Sequence, residues 1–200
     1  MLVSPDDTGL LVRGAAGGDE GAWRGLVARF SGLVWAVVRA HRLTNADAAD
    51  VYQTTWLRLA EHIRRIDHPD RVGAWLATAA RRECLQCLRS AGRTVPTDDA
   101  SWLEGPPVMD NPTEAAILRA EQQQEDAARD VALWRAVGLL SGRCQQLLRI
   151  LMASPPPSYA EVAAGLGLPV GSIGPTRARC LQALREQLVA RGITDSFSPS

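Results

Sequence analysis

The chain has no lysine, and all 22 of its basic residues are arginine. It also has no apolar run near the roughly 18 residues that cross a membrane, and its start lacks a basic stretch followed by a hydrophobic one. We therefore expect a cytoplasmic protein without membrane insertion. The absence of lysine, together with the abundance of alanine and glycine, indicates a GC-rich coding sequence and points to no mechanism.

Cysteine is scarce as well. The four cysteines are too few for a disulfide scaffold in a chain of 200 residues, so we expect reduced thiols. Cys84 and Cys87 have metal-ligand spacing but no second Cys or His pair near them, which favours a structural role over a zinc or redox site. Cys144 and Cys180 are expected in the core. The three histidines share no spacing and have no nucleophile partner, so we expect no metal, no cofactor and no enzyme activity.

The charges are segregated along the chain, although the formal net charge is zero. Residues 71–93 contain five arginines and one acid, and residues 134–200 contain seven arginines and three acids. Between them, residues 94–133 contain two arginines and nine acids. Because a uniformly solvated surface interleaves the two signs, we expect the basic blocks to contact a polyanion.

Hydrophobic spacing predicts an all-α chain. No stretch alternates apolar and polar residues over the length of a strand, whereas apolar residues recur every three or four positions over residues 20–41. Thr44 or Asn45 can cap a second helix, with Asp47 in its first turn. A third helix is expected from residue 74 onward. This helix carries a rim of three arginines, Arg81, Arg82 and Arg89.

Composition divides the chain into two small helical domains joined by a flexible acidic linker. Residues 94–112 contain four prolines among acidic and small residues, which leaves little to pack. We expect an N-terminal helical domain over residues 20–93. A C-terminal domain that contains a helix-turn-helix is expected over residues 113–192.

The segment SYAEVAAGLGLPVGSIGPTRARCLQAL, residues 158–184, is typical of a helix-turn-helix. Ser158 and Glu161 form a predicted capping box, and Gly165 and Gly167 are expected to end that helix. The second helix is expected to begin at a cap on Ser172, and a proline is tolerated in its first turn because the amides there have no helical partner. Its candidate DNA-binding residues are Ser172, Pro175, Thr176, Arg177 and Arg179.

Together, these blocks resemble the extracytoplasmic-function type of bacterial RNA polymerase sigma factors. DAADVYQTTWLRLAEHI and GAWLATAARRECLQCLR resemble the family's polymerase-binding and minus-ten-reading helices, and the helix-turn-helix is similar to the unit that reads the minus-thirty-five element. The resemblance implies that core polymerase is bound by Asp50, Gln53, Thr54 and Leu57. It also implies that the minus-ten element is bound by Arg71 and Val72 in the loop DHPDRVG, and by Arg81, Arg82 and Arg89 along the next helix.

We therefore expect an alternative sigma factor that directs polymerase to promoters and helps to melt them. Its expected partners are core RNA polymerase and promoter DNA, and an anti-sigma factor is a further candidate. Two other interpretations stay open. One is a stand-alone helix-turn-helix transcriptional regulator, which would bind duplex DNA tightly by itself. The other is a small helical thiol-redox protein that uses Cys84 and Cys87. Trp56 fits either the core or a contact surface.

Overall fold

A computed structural model of the chain describes residues 5–90 and 133–191, and the predicted linker over 94–112 lies outside these ranges. The described residues form helices joined by short turns and contain no strand, which confirms the all-α class. None of their helices combines the length and the hydropathy that a membrane crossing requires. The helices are α1 (Pro5–Ala16), α2 (Glu20–Ala40), α3 (Asn45–His62), α4 (Val72–Ser90), α5 (133–138), α6 (Gly142–Leu151), α7 (Tyr159–Leu166) and α8 (Ile173–Val189).

Side-chain caps determine where α2 and α3 begin. Asp19 Oδ1 accepts hydrogen bonds from the amides of Gly21 and Ala22, at 2.7 and 3.2 Å. Thr44 Oγ1 accepts one from the amide of Asp47 at 3.2 Å and donates to its carboxylate at 2.8 Å. Of the two predicted caps, Thr44 is therefore the one used. Such a cap stabilises a helix by about 1 kcal/mol.

The helices α2, α3 and α4 pack around a shared apolar core, with α1 against α2. Leu26, Leu59 and Leu76, one from each of the three helices, are fully buried. Trp56 of α3 is also buried, and its ring meets that of Trp23 edge-on with the centroids 6.1 Å apart. Trp56 is therefore a core residue.

The predicted helix-turn-helix is present as α7, a turn over residues 167–172 and α8. The capping box is confirmed, since Ser158 Oγ accepts from the amide of Glu161 at 3.3 Å and Glu161 Oε2 accepts from the amide of Ser158 at 2.6 Å. Gly167 follows α7 with φ 66° and ψ 41°. This left-handed conformation strains other residues but not glycine, which explains why α7 ends there.

Two local predictions in the helix-turn-helix are wrong. Gly165 does not end α7 but lies inside it, where a Cβ would stand 2.8 Å from Cγ2 of Val37 in α2. Its role is close packing. Ser172 makes no side-chain cap on α8; instead its Oγ donates to the carbonyl oxygen of Pro169 at 2.7 Å, closing a short 3-10 turn.

The expectation of four reduced thiols is also wrong. Cys144 of α6 and Cys180 of α8 form a disulfide, with their Cα atoms 5.3 Å apart. Cys84 and Cys87 of α4 take no part in a disulfide. The disulfide ties the second helix of the helix-turn-helix to the helix beneath it, and sequence spacing gave no sign of this pair because 36 residues separate the two cysteines.

The helices before residue 90 and those after residue 133 share one continuous buried apolar cluster. Within it, α4 lies along α7 and α2 lies along α6. Polar contacts add to this packing, since Arg42 donates a hydrogen bond to Oε1 of the buried Gln145, whose Nε2 donates to two backbone carbonyls. The domain boundaries predicted from composition stay predictions.

Candidate nucleic-acid interface

A cavity of about 710 Å³ opens between the end of α3, the loop that follows it and the first half of α4. Three rings contribute to its wall, those of His62, His68 and Trp75. The imidazole of His62 and the indole of Trp75 have centroids 6.1 Å apart. A cavity that combines rings with cations suits an unstacked base and the phosphates beside it. The arginines along its wall are Arg58, Arg65, Arg71 and Arg82.

The charges of these arginines are compensated to different degrees. Nε of Arg58 lies 3.5 Å from Oε1 of Glu83 on α4, and Nη1 of Arg58 lies 3.6 Å from Oε2 of Glu61. Among the described residues, neither Arg65 nor Arg82 has a carboxylate oxygen within 4.0 Å. Arg58 therefore helps to hold α3 against α4, while Arg65 and Arg82 leave the cavity positive.

The structure does not bring the five predicted minus-ten residues to one place. Arg71 and Arg82 line the cavity, and Arg89 is exposed in the last turn of α4. Arg81 is half-buried and lies against the end of α7. Val72 is fully buried in the first turn of α4, so its side chain belongs to the core.

Sequence reasoning missed most of the cavity lining, including Arg58, Arg65, His62 and Trp75. The run HIRRIDHPDR contains two of the four cavity arginines, Arg65 and Arg71, and was available as a signal. Trp75 belongs to the apolar stripe of the third helix, which by itself gives no sign of a cavity. Helical spacing predicts which residues share a face, and it does not predict that such a face borders a cavity.

The four residues predicted to bind core polymerase lie on one face of α3, because they follow each other at spacings of three, one and three. Asp50 and Gln53 are exposed and Thr54 is half-buried. Leu57 is 64% exposed, which is unusual for a leucine in the middle of a helix. A polar face with one bare leucine is suited to a protein partner.

The predicted minus-thirty-five residues lie at the start of α8. Pro175 is in its first turn, as expected, and Thr176 accepts a hydrogen bond from Arg179 at 3.5 Å. Arg177 and Arg179 are both exposed. Successive residues of an α-helix are rotated by about 100° around its axis, so these two side chains are about 200° apart around α8. Tyr159, to which sequence reasoning assigned no role, contacts Arg177.

The thiol of Cys84 in α4 is poorly suited to redox chemistry. Burial raises the pKa of Cys84 to about 12, with a further contribution from the neighbouring Cys87. The thiolate is the reactive form of cysteine, and Cys84 is almost entirely protonated at neutral pH. Within residues 5–90 and 133–191, no group of three or more His, Cys, Asp or Glu side chains could hold a metal ion.

Comparison with known proteins gives a matching family for one segment of the chain and a fold for the whole. Residues 26–94 match the family Sigma-70 region 2. No curated protein matches the chain significantly. Among solved structures, CnrH, in complex with the cytosolic domain of CnrY, has the same fold, with a TM-score of 0.57 and 22% sequence identity over 95% of this chain and 99% of that chain.

These findings identify a sigma-70 region within the chain and the fold that the chain adopts. Residues 26–94 are a sigma-70 region 2, and this region contains α3, the cavity and α4. The resemblance to sigma factors that the sequence motifs predicted is confirmed.

Proposed function

We propose that the protein is an alternative sigma factor of the extracytoplasmic-function type. In this role it binds core RNA polymerase through α3, holds the melted minus-ten element in the cavity between α3 and α4, and reads the minus-thirty-five element with α8. The protein contributes binding and orientation and performs no chemistry of its own. It acts in the cytoplasm, where polymerase and promoter DNA meet.

The observation that carries this proposal is the position of the positive cavity inside the segment that matches Sigma-70 region 2. The cavity is lined by Arg71 and Arg82, two of the residues that the sequence resemblance assigns to the minus-ten element. Its rings provide a surface on which a base can stack, and its arginines provide partners for the flanking phosphates. These are the requirements for holding single-stranded DNA.

An anti-sigma factor is proposed as a third partner. CnrH, which has the same fold, is in complex with the cytosolic domain of a second protein. The exposed face of α3 that we assign to polymerase is a surface that such a regulator can cover. A partner that masks Leu57 and its neighbours would compete directly with core polymerase.

The first test compares DNA binding with and without core polymerase. A sigma factor of this kind is expected to co-elute with core polymerase and to retain a promoter that is single-stranded at the minus-ten element. Replacing Arg82 with Ala should weaken retention, because a phosphate or base contact is lost. The matched control is Arg185→Ala, which removes an exposed arginine from the fourth turn of α8, away from the cavity.

The same test separates the proposal from a stand-alone regulator. Tight binding of the chain alone to duplex DNA, with no co-elution with core polymerase, would favour the regulator and contradict the sigma-factor proposal. The thiol-redox alternative has no support in the properties of Cys84, whose buried thiol stays protonated.

A further inference from the structure

We propose that Cys144 and Cys180 are a thiol modification site, where a hydroperoxide forms the disulfide and thereby strengthens reading of the upstream promoter element by α8. A low-molecular-weight thiol reverses the modification. The proposal rests on the proposed function, which places the chain in the cytoplasm and gives α8 its role on DNA. The compartment, the unequal access of the two cysteines and the position of Cys180 in α8 carry it.

The disulfide between Cys144 and Cys180 is unusual for the compartment in which the proposed function operates. Cytoplasmic thiols are kept reduced, and the disulfides that occur there are mostly transient ones with catalytic or sensing roles. The fold nevertheless brings the two cysteines together across 36 residues of chain, with their Cα atoms 5.3 Å apart. This separation is within the range that a disulfide requires. The pair is therefore suited to a bond that forms and breaks with the redox conditions.

The two cysteines differ in access, which sets the order of the reaction. Cys180 is fully buried, whereas Cys144 is half-buried and lies in the first turn of α6. Ser141 caps that helix, and its Oγ accepts a hydrogen bond from the amide of Cys144 at 3.4 Å. The positive end of a helix dipole favours a negatively charged thiolate, and Arg143 precedes Cys144 in the chain. Cys144 is therefore the thiol that an oxidant reaches first.

Oxidation proceeds in two steps. The Cys144 thiolate attacks the terminal oxygen of the hydroperoxide, the O–O bond breaks, and the alcohol leaves with the proton that the thiol lost, so that Cys144 becomes a sulfenic acid. The sulfur of Cys180 then attacks the sulfur of Cys144 and the S–O bond breaks. The hydroxide that leaves takes the proton of Cys180 and becomes water. The two thiols lose two electrons in total, and the hydroperoxide gains them.

Reduction follows the same difference in access. A low-molecular-weight thiol attacks the sulfur of Cys144, forms a mixed disulfide there and releases Cys180, which takes up the proton that the small thiol lost. A second small thiol then attacks the mixed disulfide. Cys144 returns as a thiol, and the small thiols leave as their own disulfide. The site therefore needs no reductant beyond that class of molecule.

The bond is attached to the part of α8 that is assigned to DNA. Between Ile173 and Leu184, Cys180 is the one buried side chain of this helix, all of which the structure describes. Thr176 and Arg177, two predicted reading residues, lie four and three positions before Cys180, which is about one helical turn. The disulfide therefore fixes the reading segment, whereas reduction leaves that segment held only by noncovalent contacts.

The other end of the bond lies on a firmly held helix. Leu147 and Ile150 of α6 are fully buried. Gln145, which follows Cys144, donates hydrogen bonds to two backbone carbonyl oxygens at 2.8 and 2.6 Å. Because α6 is anchored in this way, the bond transfers its rigidity to α8. A helix that is already ordered loses less entropy on binding, which raises its affinity for DNA.

The first experiment tests the modification itself in the full-length chain. Cys87→Ser removes the half-buried thiol of α4 and is the background, while Cys84 is fully buried. The chain is treated with hydrogen peroxide or with dithiothreitol, denatured and alkylated, and its thiols are counted by mass spectrometry. We expect peroxide to remove the thiols of Cys144 and Cys180 and dithiothreitol to restore both.

The order of the two steps is tested with single variants and dimedone, which labels sulfenic acids. After peroxide treatment, Cys180→Ala should be labelled at Cys144, because no second thiol completes the disulfide. The matched variant Cys144→Ala should not be labelled at Cys180, because that thiol is buried.

The second experiment measures how the bond affects reading. Oxidised or reduced protein, freed of peroxide or dithiothreitol, transcribes two templates with core polymerase. The templates share one minus-ten element, and the upstream element is intact in one and scrambled in the other. We expect the ratio of transcripts from the intact and scrambled templates to be severalfold higher for the oxidised protein. The control with both Cys144→Ala and Cys180→Ala should give one ratio after either treatment.

Three results would overturn the proposal. The first is the same number of thiols after peroxide and after dithiothreitol, which means that the bond does not interconvert. The second is dimedone labelling at Cys180 and none at Cys144, and the third is an equal transcript ratio for oxidised and reduced protein. Failure of the proposed function has a different signature, namely no co-elution with core polymerase in either redox state, and the thiol counts are read independently of it.

Discussion

The hydroxyl oxygen of Tyr159 lies 3.4 Å from Nη1 of Arg177 and accepts a hydrogen bond from it. This contact joins the first turn of α7 to the first two turns of α8. It holds the Arg177 side chain beside α7, whereas Arg179 lies on a different side of α8 and contacts Thr176. The two arginines are therefore expected to have different roles on DNA.

We predict that Arg177 reads a base and that Arg179 anchors a phosphate, because Arg177 lies nearer the start of the helix. Arg177→Ala should weaken binding by about 1–3 kcal/mol and relax preference at one base pair of the upstream element. Arg179→Ala should weaken binding to all sequences and reduce the salt slope by about one unit. The measurement is transcription from a promoter library with each variant, at two or more salt concentrations.

Tyr159→Phe provides the matched comparison for this prediction, since it removes only the hydroxyl group. If Tyr159 orients Arg177, the variant should relax the same base pair as Arg177→Ala, to a smaller extent. Unchanged upstream preference and unchanged salt slope in both arginine variants would mean that α8 is not the reading helix.

The exposed face of α3 gives a second prediction. Asp50→Ala, Gln53→Ala and Leu57→Ser should each weaken core polymerase binding, because they remove exposed polar or apolar contacts from one face. The midpoint of thermal unfolding should change little, since none of these side chains is buried. Leu10→Ser, which alters a similarly exposed leucine on α1, is the control and should bind polymerase normally. Wild-type affinity in all three α3 variants would show that polymerase binds elsewhere.

The disulfide gives a third prediction. Joining Cys144 to Cys180 closes a loop of 36 residues, and a crosslink of this span stabilises a fold by about 2–4 kcal/mol. A variant with both Cys144→Ala and Cys180→Ala should unfold at a lower urea concentration than the wild type. Adding reductant should lower the wild-type midpoint and leave that of the double variant unchanged. Coincident midpoints in the absence of reductant would contradict a stabilising disulfide.

His41 gives a pH prediction. It is 7% exposed, its Nδ1 lies 2.8 Å from the carbonyl oxygen of Val37, and its pKa is lowered mainly by burial. The hydrogen bond to Val37 opposes the shift, and the nearby charge of Arg81 adds to it. The folded chain has the lowered pKa, and the unfolded chain has the ordinary value near 6.5. At pH values between these two, the unfolded chain therefore binds more protons than the folded one.

The free energy of unfolding should therefore fall as the pH is lowered through about 6.5, with a slope of at most about 1.4 kcal/mol per pH unit from this group. His41→Gln should flatten that part of the curve, because no titrating group remains at the site. Urea unfolding at a series of pH values measures both curves. Identical pH dependence in the wild type and the variant would rule out His41 as the source.

Local signals in the sequence predicted local structure well. Thr44, the box formed by Ser158 and Glu161, and the left-handed Gly167 each act within a few residues of their own position, so their effect can be deduced from neighbouring residues. The helical face of Asp50 and Leu57 follows from spacing alone. These features required no knowledge of what packs against them.

Features that depend on distant residues were not predicted. The contact of Gly32 with Ser154 joins positions far apart in the chain, and so does the disulfide. The orientation of Arg81 shows the same limit. Spacing alone places Arg81 and Arg82 on one rim of α4. The position of α7 then determines that Arg81 lies against that helix, while Arg82 lines the cavity.

Run-off transcription on genomic fragments, with core polymerase in the presence and absence of the protein, tests the sigma-factor proposal most directly. We predict transcripts that start at defined positions only when the protein is present, and that decrease when Arg82 is replaced by Ala. The proposal would be contradicted if core polymerase alone gave the same transcripts. It would also be contradicted if no transcripts formed with the protein present at concentrations that saturate its binding to core polymerase.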